Sequence, residues 1–379
     1  MKDEEGFFAV QLPIDARDLK ELELIVKRSG IIVRGNYEFD NADDRLLDYI
    51  TANTLNDAQF RAVFDRNLLS PLVNLAAGDA LTGNPESDAN ARNAAACAAF
   101  CILGDILIEP AMALYEYASA TGNSEAQRDL SLFRVADNVA PSAYVDIALG
   151  RCSKISAMHL AEVKEKLSAT ETPPREPDFQ RTLSLWSPNY LHVLKAYELR
   201  RSAPSALEAA KGLLRWEAEE SFYNAAASLY CLAAISHRPP KGQMLKSILS
   251  ANSGQISKGI RNATWDVCLI RQFAKHMQKS KDFSWSLWSS DLALRQITRS
   301  LFISTESSKD EALSLFFLTH WGKRDGRLLL QTYLDHMQVA GMNSTERAKV
   351  LDTRFSDINS QILLQEKKLG IFSAHREEM

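Results

Sequence analysis

The sequence predicts an α/β fold: a parallel sheet flanked by helices, with a large, mainly α-helical insertion and a helical C-terminal tail. Three observations carry this expectation. The apolar runs Ala62-Val63-Phe64 and Ile106-Leu107-Ile108 have no helical period and lie between helical stretches, which is how buried parallel strands read. Phe283-Ser284-Trp285-Ser286-Leu287-Trp288 alternates apolar and polar residues, the period of a strand. Most of the remaining chain has apolar residues at helical spacing, broken by Gly- and Pro-containing loops.

In chain order, residues 7–12 suit a strand. Asp15 caps a helix through about Lys27 whose apolar face is Leu19, Leu22, Leu24 and Ile25. Residues 31–39 are β-branched and aromatic, suiting a strand or hairpin arm. Residues 42–52 are helix-like, with Leu46, Leu47 and Ile50 on one side. The strand ending at Phe64 turns polar at Asp65-Arg66-Asn67, and helix resumes from Ser70. Residues 82–90 (TGNPESDAN) read as a loop and 91–103 as an apolar helix broken by Gly104. After the second strand, Pro110 suits the first turn of the helix that carries Glu116.

Helices are then expected over 143–167, 190–200, 205–217 and 219–236, with loops at 170–178 (TETPPREPD) and 237–242. Residues 256–277 form one amphipathic helix or two short ones. The strand FSWSLW is followed by Ser289-Ser290-Asp291 and the helix LALRQITRSLF. Residues 322–326 break the tail, and Asn343-Ser344-Thr345-Glu346 is a helix start before a long helix to about Lys368.

The composition is that of an ordinary globular chain: 379 residues, 46% hydrophobic and 24% charged, enough for a substantial core and for two or three domains or one enlarged domain. The five cysteines have no framework spacing, which argues against a disulfide-stapled secreted domain. Cys97 and Cys101 lie one helical turn apart, yet no second Cys or His pair completes a zinc site, so core packing is expected of them. The acidic start MKDEEGFFAVQL is not a signal peptide. Asp105, Glu109 and Pro110 interrupt the most apolar stretch, well short of the about 20 apolar residues that span a bilayer. A cytoplasmic protein without a membrane partner is expected.

Net charge is −4, but its distribution is uneven. Residues 237–300 carry eleven Lys or Arg against three acids, Asp266, Asp282 and Asp291. Such a block can neutralise nucleic-acid phosphates, and a solvated basic face is the competing explanation. Lys258, Arg261, Arg271 and Lys275 are its candidate substrate-binding residues. Trp265, Trp285 and Trp288 nearby suit either base stacking or the core.

Four acids stand out. Asp65 ends an apolar strand, where ligand groups collect in open parallel sheets; a surface-turn role competes. Glu116 follows the second strand on an otherwise apolar helix, with Glu109 at the strand end as its rival. Asp266 is crowded by Trp265, Val267, Cys268, Leu269 and Ile270, where a lone carboxylate costs several kcal/mol unless paired or metal-bound. Asp291 opens a helix, as a cap would. Hard magnesium takes such oxygen donors while keeping several waters. Converging carboxylates around it could activate a water and stabilise the leaving oxygen of a phosphodiester.

The segments VFDRNLL, ALYEYA, WDVCLI and Ser289-Ser290-Asp291 resemble the PIN-domain superfamily of metal-dependent ribonucleases. The resemblance covers roughly 61–122 and 258–303. It implies a PIN-like core split into halves at 61–122 and 256–304, with an N-terminal α/β segment (1–60), a helical insertion (123–255) and a helical C-terminal region (305–379). It implies Mg²⁺ (or Mn²⁺) held by the catalytic acids Asp65, Glu116, Asp266 and Asp291, with Asn67 and Ser289 as supporting polar groups. The implied function is endonuclease cleavage of RNA rather than DNA, in the manner of toxin–antitoxin or antiviral-defence nucleases. The helical regions would serve a protein partner or homo-oligomer. The rival reading is a non-catalytic helical interaction protein whose acids are caps and surface charges. No His-rich metal motif, phosphate-binding glycine loop or nucleophile elbow occurs.

Overall fold

Local sequence chemistry sets the ends of most elements. The computed structural model describes residues 11–34, 45–56, 58–170, 177–221, 223–240, 244–248, 250–279, 283–301, 306–342 and 357–371. These fold into fifteen helices and a small four-stranded mixed sheet of order β1-β4-β2-β3. The strands are β1 (Ile32–Arg34), β2 (Gln59–Phe64), β3 (Ile106–Glu109) and β4 (Phe283–Trp288). β2 and β3 run parallel, with Phe60 opposite Ile106 and Val63 opposite Glu109. The three strands nominated by apolar runs or alternation are therefore present. The expected features at 7–10, 35–39 and 343–346 lie outside the described residues, as does most of the 170–178 loop.

The chain divides into two compact units. The first comprises Met1–Ile32, Asn41–Phe179 and Asp282–Ser284; the second comprises Val33–Asp40, Gln180–Lys281 and Trp285–Met379. The helices of 123–255 are thus shared between the two.

In the first unit, α1 (Ala16–Ser29) starts at the Asp15 cap and ends at Gly30 in the left-handed conformation, as its sequence predicts. α2 (Leu46–Asn56) precedes β2. α3 (Arg66–Ala77) begins directly after the strand rather than at Ser70, because the Asp65 side chain caps it. α4 (Pro85–Leu103) likewise begins inside the expected loop: Asn84 caps the amides of Glu86 and Ser87, and Pro85 occupies the first turn. Its Ala94–Phe100 segment is wholly buried, and Cys97 and Cys101 pack in this core as thiols. α5 (Ala111–Thr121) and α6 (Asn123–Asp137) close on α3, burying Leu69, Val73, Leu114 and Phe133 in one cluster with Phe179. The helix expected over 143–167 is two, α7 (Pro141–Ala148) and α8 (Ala157–Thr170). Gly150, at φ +77°, turns the chain between them.

The second unit is built around α9 (Trp186–Ser202), buried continuously from Pro188 to Tyr197. A helix buried on every side is a core helix, and its neighbours surround it. They are α10 (Ala206–Glu219), α11 (Ala225–Ile235), α12 (Ser253–Lys279) and α15 (Ile358–Leu369). Asn224 caps α11. α12 is a single helix. α13 (Leu292–Leu301) follows β4. α14 (Glu306–Met342) runs through the expected break with a kink at Gly322, whose φ of +76° only glycine adopts easily.

Candidate functional site

The candidate acids fall two in each unit: Asp65 and Glu116 in the first, Asp266 and Asp291 in the second.

In the first unit the carboxyl ends of β2 and β3 lie side by side, because the strands are parallel and Val63 faces Glu109. Asp65 is the residue after β2 and is 5% exposed. Its Oδ1 accepts from the Asn67 backbone amide (2.5 Å) and its Oδ2 from the Asn67 side-chain amide (3.2 Å). Asn67 thus donates to both oxygens of the carboxylate. Of the two rivals for the second acid, Glu109 binds the Ala111 amide through Oε1 (3.0 Å), at the start of α5. Glu116 lies one turn further along, with Oε1 3.8 Å from Arg66 Nη1. The Arg66 guanidinium also lies over the Tyr117 ring (4.9 Å).

Sequence reading missed Arg66, although it stands between two nominated residues. It missed Asp129 on α6 too. Burial raises the pKa of Asp129, with the charges of Arg128 and Arg66 acting against it and that of Glu125 with it. Arg66 thus acts electrostatically on both Glu116 and Asp129.

In the second unit Asp266 is half-buried on α12, beside the buried side chains of Trp265, Val267 and Cys268. One partner in this apolar setting is the Tyr230 hydroxyl on α11, which donates to Oδ2 at 2.6 Å. Burial pushes the Tyr230 hydroxyl well above the usual tyrosine range, and the charge of Asp266, its hydrogen bond and the charge of Asp291 add to the effect. Both nominated acids of this unit thus act on one hydroxyl. Asp291 Oδ1 accepts from the amides of Ala293 (2.7 Å) and Leu294 (3.1 Å), capping α13. The Asp291 amide donates to Oγ of the fully buried Ser289 (2.9 Å), so Ser289 shapes the turn that presents Asp291. One turn along α13, Arg295 has its pKa lowered by burial and by Arg299, while Asp291 works in the opposite sense.

The basic residues of α12 are arranged differently. At about 100° per residue, Arg261 and Arg271 project roughly 140° around the helix from Asp266, Lys275 about 180° and Lys258 about 80°. Arg271 turns inward: Nη1 donates to Asn189 Oδ1 (3.3 Å), and burial lowers its pKa. Lys258 and Lys275 are exposed. The three tryptophans are core residues. Trp265 packs on Trp186 (4.6 Å between rings), Trp285 stacks on His276 (4.0 Å) and Trp288 is fully buried.

All four acids offer hard carboxylate oxygen, the donor chemistry that magnesium takes. Among the described residues, no group of three or more His, Cys, Asp or Glu is placed to hold a metal ion. Also among them, no helix is long and apolar enough to cross a membrane. No protein family, curated protein or solved structure matches the chain.

Proposed function

We propose that this chain is a metal-dependent endonuclease that hydrolyses phosphodiester bonds, RNA in preference to DNA. The observation that carries the reading is Asp65. It stands at the carboxyl end of a buried strand parallel to its neighbour, held on both oxygens by Asn67, where the PIN-like resemblance requires a fixed acid. In the first unit the ligands this reading assigns are Asp65 and Glu116. A bound Mg²⁺ would supply a water of lowered pKa and charge stabilisation for the leaving oxygen. The chain's own contribution is to fix its carboxylates. Asn67 orients Asp65, Tyr230 orients Asp266, and the α13 amides orient Asp291. Lys258 and Lys275, exposed on α12, would attract the phosphate backbone.

The test is cleavage of labelled single-stranded and hairpin RNA, and matched DNA, by the purified chain with and without Mg²⁺ or Mn²⁺. Asp65→Asn and Asp266→Asn should each abolish metal-dependent cleavage while leaving the melting curve of the metal-free protein nearly unchanged. Mn²⁺ should also raise the melting temperature of the wild type, since a ligand that binds only the folded chain stabilises it. A wild type that neither cleaves nor responds to Mn²⁺ sinks the proposal.

A second reading, a non-catalytic interaction protein, draws on two observations. Asp65 and Asp291 both serve as helix caps, and α14 exposes Leu315 (66%) and Leu328 (46%). It expects no cleavage by any version of the chain.

A further inference from the structure

We infer that Arg271, with Lys275 one turn further along α12, forms an oxyanion site that takes a phosphate monoester group; the inference needs neither the metal nor the four acids of the reading above. Arg271 is half-buried in the second unit. Its Nη1 donates to Oδ1 of the wholly buried Asn189 at 3.3 Å, and the same oxygen accepts from Asn224 Nδ2 at 2.7 Å. Asn189 Nδ2 in turn donates to the Cys268 thiol at 3.3 Å. Among the described residues, Cys268 is the one group whose charge would act on Arg271. Burial pushes that thiol up to about 12, so it stays protonated at neutral pH and supplies no counter-ion. Also among the described residues, Arg271 makes no ion pair and no further hydrogen bond, and none of its other nitrogens is sealed from solvent.

A guanidinium carries five N–H donors, and one long bond to a neutral amide uses one of them. A cation partly withdrawn from water and left without a counter-charge is costly until an anion joins it. The remaining edge of the fork is planar and fits two oxygens of one phosphate. Lys275 is exposed and, like Arg271, pairs with no acid among the described residues. Four residues on, it projects only about 40° around the helix from Arg271, so the two side chains are neighbours. Asp266 projects to the other side of α12 from both. Two positive charges with no acid between them favour a doubly charged phosphate over a carboxylate. The fork is also fixed in advance: Asn189 comes from α9 and is anchored by Asn224 at the start of α11, so three helices set the aim of the guanidinium.

The experiment titrates the full chain by calorimetry in EDTA at constant ionic strength, so that neither a metal nor screening decides the result. The probes are sodium phosphate, adenosine 5′-monophosphate, adenosine, sodium acetate, and one short RNA with and without a 5′-phosphate. The wild type should bind phosphate and adenosine 5′-monophosphate, with adenosine and acetate at least about 10-fold weaker. Arg271→Gln keeps a donor for Asn189 and should weaken phosphate binding about 10- to 100-fold. Lys275→Gln, at an exposed position, should fold as the wild type does and weaken it about 2- to 5-fold. Thermal melting checks the fold of both variants. An RNA that gains affinity from its 5′-phosphate identifies a nucleic-acid end as one source of the group. An RNA that gains none leaves small phosphorylated molecules as the source. The inference is wrong if the wild type binds neither phosphate nor adenosine 5′-monophosphate at millimolar concentration, or if either substitution leaves that binding unchanged. Should Arg271→Gln not fold, Lys275→Gln alone decides by the same criterion. Because no step uses a metal or reads cleavage, loss of the nuclease reading leaves this result untouched.

Discussion

His192 Nε2 lies 3.7 Å from Glu217 Oε1 inside the second unit, both side chains almost wholly buried. The same Glu217 oxygen accepts from Ser228 Oγ at 2.7 Å, and His192 Nδ1 lies 2.8 Å from the Pro188 carbonyl oxygen. Three helices, α9, α10 and α11, meet at this polar point in an otherwise apolar core. Burial pushes Glu217 up to about 8, against the opposing pull of the Ser228 bond.

That value makes stability depend on pH with a definite sign. The folded chain keeps a proton on Glu217 that the unfolded chain releases near the model-peptide value of about 4.3. The stabilisation is fully present below the unfolded pKa and is lost as pH rises to about 8. Urea midpoints of the wild type should fall between pH 5 and pH 8, by an amount on the order of a few kcal/mol in unfolding free energy. Glu217→Gln keeps a Ser228 acceptor but cannot ionise, so its curve should be flatter and should cross above the wild type on the alkaline side. Parallel curves would show that Glu217 is ionised in the folded chain throughout.

Asp65 has two separable roles. Asp65→Ala removes both the cap of α3 and the proposed ligand, so it should lose cleavage and about 0.5–2 kcal/mol of stability. Asp65→Asn keeps an oxygen acceptor for the Asn67 amide and should lose cleavage with little change in melting. Equal destabilisation by the two substitutions would mean that the charge, not the cap, holds the strand end.

Arg151 links Asp18 on α1 to Asp146 on α7, binding Asp18 through both guanidinium nitrogens, one of them at 2.6 Å, and Asp146 at 3.2 Å. The Arg151 hydrogen bond holds the Asp18 carboxyl below the usual aspartate range, its charge and that of Arg17 adding to the effect while burial opposes it. A depressed folded pKa means stability that is present at neutral pH and lost as pH falls below the unfolded value. Acid titration followed by circular dichroism should therefore show Asp18→Asn unfolding with a weaker pH dependence below about pH 4 than the wild type. An unchanged acid limb would remove Asp18 from the account.

Gly259 allows α12 to pass against the segment before it. A Cβ there would lie 2.1 Å from the Lys246 carbonyl oxygen and 2.7 Å from the Tyr197 hydroxyl, which itself donates to that oxygen at 2.7 Å. Backbone cannot yield as a flexible side chain does, so Gly259→Ala should destabilise by about 1–3 kcal/mol or more, despite alanine's better helix propensity. Chemical denaturation checks it. A neutral or stabilising result would place the two backbones further apart than described.

Much of the architecture was legible because its signals are local. The strand at Gln59–Phe64 ends in an acid that also starts a helix, and both facts are written within ten residues. The same holds for FSWSLW and the Asp291 cap. Three boundaries were misjudged where a cap was overlooked, Asp65 at α3, Asn84 at α4 and Asn224 at α11. The broken helix at Gly150 was missed because its turn interrupts an otherwise helical pattern.

The site divides along the same line. Sequence by itself determined that Asp266 needs a partner, since an apolar neighbourhood makes a lone carboxylate costly. Only the tertiary structure decided that Tyr230, 36 residues earlier, is one such partner. It also decided that Arg66 faces Glu116 and that Arg271 turns inward to Asn189. Caps, turns and apolar periods are set by neighbours a few bonds away. Which donor meets which acceptor depends on how each helix is rotated and crossed against the next, and that is settled by the packing of the whole core.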